Sequence, residues 1–121
     1  VASEESSAHI NFKSKVLETK DGDTELTLKE LTPVRLIKND FYKKIQDAYA
    51  NDADAEELKE LLGRGRAKKG MFEGDMEKGE LEIGQVASLI HEVKPVSIIV
   101  SELMNEYNEA LGEFNADKYN F

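Results

Sequence analysis

His9 and His91 are the two imidazoles of a chain without cysteine. They stand 82 positions apart, outside any short metal-ligand spacing. Ser6 or Ser7 beside His9 is not a catalytic arrangement, because nucleophile and base are assembled in space rather than by adjacency. The better reading gives His9 a place at the entrance of the first helix. His91 is placed near a helix C-terminus, where partial positive charge is favoured. Asp21, Asp23 and Glu25 have the first three spacings of a calcium loop, but Leu26 stands where Gly is required and Thr32 where the bidentate Glu is required. A polar turn is the better account. The acidic run Glu73-Gly74-Asp75-Met76-Glu77 fails the same test. Gly63-Arg64-Gly65-Arg66-Ala67-Lys68-Lys69-Gly70 suggests a phosphate loop, yet a Walker loop needs Gly-Lys followed by Ser or Thr. Here Lys69 precedes Gly70 and Met71 follows, and the glycine spacing of a dinucleotide fingerprint is wrong too. A basic turn meeting an anionic ligand and a basic turn facing solvent both remain open. No catalytic set and no metal set emerges from these residues.

The elements that must carry them fit one domain: 121 residues bury roughly two thirds of the unfolded surface. Apolar residues are 40% and charged residues 34%, a globular composition. Absence of cysteine excludes a disulfide framework and fits a reducing compartment, hence an expected cytoplasmic location. The apolar runs are far shorter than the ~20 residues a membrane helix needs, so no membrane is expected as partner. No charged-then-apolar leader opens the chain, and Val1 in place of Met points to a processed or truncated start. The net charge is −9, and residues 71–121 carry eleven acidic side chains against three basic. Such a face repels phosphate backbones, which argues against nucleic acid.

Along the chain, Ser6 or Ser7 is expected to cap a helix carrying Phe12, Val16 and Leu17 and ending near Lys20. Asp21-Gly22-Asp23 is a turn, and Thr24-Glu25-Leu26-Thr27-Leu28 alternates as a strand with Leu26 and Leu28 inward. Val34-Arg35-Leu36-Ile37 returns as its hairpin partner, and so short a hairpin must lean on something else. Asn39 or Asp40 caps a helix with the stripe Phe41, Ile45, Ala48 and Tyr49. After the break at 51–54, a short helix carries Leu58, Leu61 and Leu62 and stops at Gly63 in the left-handed conformation. A helix over 84–93 is expected to bury Val86, Leu89 and Ile90 before Pro95 interrupts it. Pro95 opens the longest helix, with Val96, Ile99, Val100, Leu103, Met104, Tyr107 and Leu111 at helical period, ended by Gly112. Its stripe, like that at 41–49, serves as packing surface or docking face, packing being the commoner fate.

Residues 63–90 hold a basic glycine-rich turn, then Gly74-Asp75-Met76-Glu77-Lys78-Gly79, then Gly84-Gln85-Val86-Ala87-Ser88-Leu89-Ile90. This order resembles the C-terminal part of the flavin-dependent nitronate monooxygenases (formerly 2-nitropropane dioxygenases) and of their relative, enoyl-acyl-carrier-protein reductase II. Two further stretches agree in order. Val1-Ala2-Ser3-Glu4-Glu5-Ser6-Ser7-Ala8-His9 is similar to the segment after the last barrel strand, and Thr32-Pro33-Val34-Arg35-Leu36-Ile37-Lys38-Asn39 to the Pro-x-Arg-x-x-x-Asn piece.

The resemblance implies a mainly α chain with a short β-hairpin, the C-terminal helical lobe of a (β/α)8 FMN-binding barrel whose strands lie upstream. On that basis 1–20 is the segment and helix following the last strand, 21–39 the hairpin, 40–112 the substrate-side lobe and 113–121 a loose tail. The family's catalytic histidine, in a Gly-Gly-His context, lies upstream; His9 is in a different motif. The resemblance therefore implies no catalytic residue here, a chain inactive alone, and an intact FMN-dependent enzyme oxidising alkyl nitronates with oxygen. FMN is the implied cofactor, with NAD(P)H added if the chemistry is enoyl reduction; the implied partners are a small-molecule substrate and the upstream barrel of the same protein. Gly84 and Gln85 are the residues it places near the flavin, a glycine admitting close backbone approach and an amide that both donates and accepts. The plainer alternative is that Gly84 begins a helix and Gln85 lies in its first turn. Glu82 is acidic where the reductase branch is apolar, which weighs against a greasy acyl chain. Outside the family, the alternative is a standalone acidic helical interaction module.

Overall fold

The structure is a computed structural model, and it describes residues 1–116. It is mainly helical around one hairpin: α1 (Ile10–Glu18), β1 (Thr24–Thr27), β2 (Val34–Ile37), α2 (Asp40–Ala50), α3 (Ala55–Leu62), α4 (Arg66–Met71), a single 3-10 turn (Gln85–Leu89) and α5 (Val96–Phe114). β1 and β2 pair antiparallel, with Glu25 opposite Leu36 and Thr24 opposite Ile37. Among the described residues, no helix is long and apolar enough to cross a membrane.

The hairpin leans on two cores, one on each face. Successive strand residues point to opposite sides. Ile37 accordingly joins Ala8, Phe12, Val16, Leu81 and Ala87, while Leu36 joins Leu28, Phe41, Ile45 and Leu58. β2 has a second neighbour as well. The Ile37 N–H donates to the Leu81 carbonyl at 2.9 Å, the Ile83 N–H to the Arg35 carbonyl at 3.2 Å, and Glu82 bridges to Leu36. Residues 81–83 thus act as a third strand. Two tyrosines on α2 lock it to the hairpin: Tyr42 Oη donates to Glu25 at 2.5 Å and Tyr49 Oη to Glu30 at 2.6 Å. Burial, followed by the bond to Glu25, pushes the Tyr42 hydroxyl up to about 12.

Several local expectations change. His9, not Ser6 or Ser7, caps α1, its Nδ1 accepting from the Asn11 N–H at 3.1 Å; the Ser6 hydroxyl instead accepts from Ala8. Leu26 is 43% exposed and only Leu28 turns inward, because Leu28 leaves the strand with a positive φ of 55°. Gly63 ends α3 with φ 64° but ψ −156°, so its positive φ is as expected and its left-handed helical ψ is not. Over 84–93 the helix shrinks to the 3-10 turn; Ala87 is its buried residue, while Val86 and Leu89 are 63% and 69% exposed. His91 consequently lies in the irregular stretch between the 3-10 turn and α5 and caps no helix. α5 runs through Gly112 to Phe114, so Glu113 and Phe114 are helical, Asn115 caps the helix, and 117–121 of the expected tail lie outside the described residues. Among the described residues, α5 also has no buried residue: its entire apolar stripe is exposed.

The tightest crossing lies between α4 and the strand at 81–83. A Cβ on Gly79 would lie 2.4 Å from the Gly70 Cα and 2.5 Å from the Asp75 carbonyl oxygen, both backbone atoms that no rotamer change can move. Gly79→Ala is therefore expected to lower stability by about 3 kcal/mol or more, as overpacking against fixed backbone does. Urea denaturation checks this, with Gly84→Ala as reference; no atom lies within 4 Å of that Cβ, and its change is expected to stay within about 0.5 kcal/mol.

Candidate functional site

The segment 72–84 has almost no regular structure, so side chains must satisfy the backbone that helices and strands would otherwise satisfy. Asp75 Oδ1 accepts from the Glu77 and Lys78 N–H groups at 3.2 and 2.9 Å, and those bonds, the Lys78 one first, hold its carboxyl below the usual carboxylate range. This is turn chemistry. Two of the acidic residues at 21–25 are likewise occupied, Asp23 by the Lys20 N–H at 2.8 Å and Glu25 by Tyr42 and Lys38.

The basic turn at 63–70 folds inward at its centre. Arg66 donates to the carbonyls of Leu62 (Nε), Leu61 (Nη2) and Lys78 (Nη1), each at 3.0 Å, and its guanidinium lies 4.6 Å from the centre of the Phe41 ring. The first two carbonyls end α3, where no intrahelical donor remains. Arg66 is thus a clamp between α3 and the 78–80 segment, and the Glu80 N–H returns a bond to its carbonyl at 3.0 Å. Arg64 and Lys68 are exposed.

After the strand at 81–83, the chain emerges at Gly84 and Gln85, both exposed. Gly84 has φ −78°, open to any residue, so its backbone conformation does not demand glycine. Nothing in this chain crowds it. The Gln85 carbonyl accepts from the Ser88 hydroxyl at 3.2 Å. An open groove of about 370 Å³ runs beside them, lined by Pro33, Val34, Arg35, Glu82, Ile83 and Gly84. Arg35 is fixed at its rim, Nη1 donating to the Thr24 carbonyl and hydroxyl at 3.2 Å each.

Glu80 was invisible as a special residue in the sequence, being one of many carboxylates. Only 7% exposed, it lies beside Glu82. Burial first, then the hydrogen bond and charge of Glu82, push its carboxyl up to about 7, with Arg66 pulling the other way. The signals that could have marked this region are the alternation Glu80-Leu81-Glu82-Ile83, which reads as a strand, and the Asn39 of the Pro-x-Arg-x-x-x-Asn piece.

A helical assembly built on a hairpin, with its third strand running out to an exposed Gly-Gln edge, defines the class. Residues 1–106 match the family model described as nitronate monooxygenase, and the chain belongs to that family. Its members are FMN-dependent oxidoreductases. Two solved structures agree. FabK from Thermotoga maritima, an enoyl-acyl-carrier-protein reductase II, is 35% identical with a TM-score of 0.81, and a point mutant of FabK from the same organism is 31% identical with a TM-score of 0.75. Each match covers 94% of this chain but only 36% and 33% of the respective FabK chain, so this chain spans about a third of the length of the structures it resembles. No curated protein matches the sequence.

Because the folded state holds the Glu80 proton more tightly than the unfolded state, this group's contribution is complete below pH 4.5 and is lost as pH rises through about 7. Glu80→Gln, neutral throughout, is expected to raise stability at pH 8 by about 1 kcal/mol or more and to flatten the profile below it. Urea midpoints from pH 4.5 to 8 measure this; a parallel loss in variant and parent would assign the slope to other groups.

Proposed function

We propose that this chain is the helical lobe that closes over the active site of an FMN-dependent oxidoreductase, most like nitronate monooxygenase, with the barrel strands upstream in the same protein. The observation that supports the lobe reading is α5, whose apolar stripe from Val96 to Leu111 is exposed among the described residues. A stripe of that width is normally buried, and a barrel wall is a natural cover.

The residues at the exposed edge fit one side of a flavin. Gly84 offers backbone with open space around its Cα, and Gln85 offers an exposed amide. The FMN ring, when bound, supplies the electron acceptor; this chain supplies shape and hydrogen bonds at its edge, while the catalytic base and the phosphate glycines belong upstream. Glu82, exposed in the groove beside Gly84, weighs against a long acyl chain at this edge, which would desolvate that carboxylate. The reading nevertheless has a rival with its own support. The FabK likeness favours NAD(P)H-dependent enoyl reduction.

Anaerobic reduction of the flavin in the whole protein separates the two: an alkyl nitronate is expected to bleach it rapidly and NADPH to leave it oxidised. Bleaching by NADPH alone would replace the first chemistry with the second. On the same protein, Gly84→Ala is expected to weaken FMN binding about tenfold while leaving apo-protein stability unchanged, and the 121-residue chain alone is expected to bind no FMN at low micromolar concentration, both read by flavin fluorescence.

A further inference from the structure

Every polar atom of the Asn39 side chain is engaged. Oδ1 accepts from the Tyr42 N–H at 3.0 Å and caps α2, while Nδ2 donates to the carbonyls of Met76 and Gly79, both at 2.9 Å. The neighbouring contacts on the same rail are made by backbone: Phe41 N–H to the Glu77 carbonyl, Ile37 N–H to the Leu81 carbonyl, and Ile83 N–H to the Arg35 carbonyl. Any residue could make those. The pair of bonds from Nδ2 needs one side chain that accepts at one end and donates twice at the other, within a length fixed by the cap. Aspartate cannot donate, serine is too short to reach both carbonyls, and glutamine moves the acceptor away from the cap.

We propose that Asn39 is the positioning residue of the Gly84-Gln85 loop: its amide nitrogen fixes the carbonyls of Met76 and Gly79, and so sets where the strand at 81–83 starts and where its exposed end arrives. Gly79 is the point at which this control is strongest. It is already wedged against Gly70, and the bond from Asn39 fixes the carbonyl of that wedged residue only five positions before Gly84. Asn39 touches neither Gly84 nor Gln85; it acts through the segment between. The functional consequence rests on the reading of Gly84 and Gln85 as the flavin edge, whereas the tether itself does not.

Asn39→Asp and Asn39→Ser separate the cap from the tether. Both keep an oxygen at the N-cap; Asp adds an anion where a helix N-terminus favours one but turns its second oxygen against two carbonyls, and Ser removes the donors without adding repulsion. Leu58→Ala, a core truncation in the second cluster, is the control for general loss of stability. Hydrogen exchange by mass spectrometry on the whole FMN-loaded protein is expected to rise tenfold or more over 79–85 in both Asn39 variants, with 40–50 changed less than twofold. The FMN dissociation constant is expected to rise about tenfold in both, and to stay within twofold in Leu58→Ala. Should Asn39→Asp fail to fold, Asn39→Ser decides. Exchange over 79–85 within twofold of the parent would overturn the tether. Faster exchange there with unaltered FMN affinity would uphold the tether and overturn the flavin-edge reading of Gly84 and Gln85.

Discussion

Both cores of this molecule are registered to β2, a four-residue strand with both faces and both edges occupied. Leu36 is 0% and Ile37 2% exposed, and they serve different cores. β1 takes one edge and residues 81–83 the other. A slip of one residue in β2 would exchange the two cores, sending Leu36 toward α1 and Ile37 toward α2, so the hydrophobic effect on two sides enforces one register. Such a strand tolerates no compromise, which is why the hairpin is stable despite its length.

The second organising feature is how irregular chain is kept in the interior. Between α4 and the 3-10 turn, the backbone is held by four side chains that take the place of a ladder: Asn11, Asn39, Arg66 and Asp75. Each one joins polar groups of segments that are distant in sequence or closes a turn that no helix closes. Loops of this kind normally lie on the surface because buried carbonyls lack donors. Here amide and guanidinium donors come to them, and the crossing of Gly70 and Gly79 lets two backbones approach without intervening side chains.

Much of this was legible in the sequence. The hairpin, α2 with its Asn39 cap, a short helix after the break at 51–54 and the helix after Pro95 follow from alternation, helical period and capping residues. Where the reading failed, a tertiary contact outweighed a local signal. The serine cap expected for α1 gives way to His9, which the sequence did place at the helix entrance and whose N–H donates to the Met71 carbonyl at 2.7 Å. Period alone suggested a helix over 84–93, yet only Ala87 is buried there, with Ile90 half-buried against the same core, and the chain relaxes into a 3-10 turn. The inward turn of Arg66 was hidden because a basic cluster looks alike whether it faces solvent or its own carbonyls. Of the candidate edge, Gly84 and Gln85 were found through resemblance of motif; their exposed position follows from the strand before them, which period-2 alternation over four residues barely announces.

α5 behaves as a separate thermodynamic unit. It is tied at its first turn, where both Glu5 oxygens accept from the Val96 N–H at 3.1 and 3.0 Å and Lys94 pairs with Glu102 at 2.9 Å. Beyond that turn, no residue of the helix is buried. An isolated helix of 19 residues is marginal in water, because nucleation is costly and each added residue gains little. The two cores and α5 are therefore expected to form distinct cooperative blocks, the cores opening only with the global transition and α5 opening at far lower free energy. Whatever surface covers that helix also decides whether it folds, so for α5 association and folding are one event.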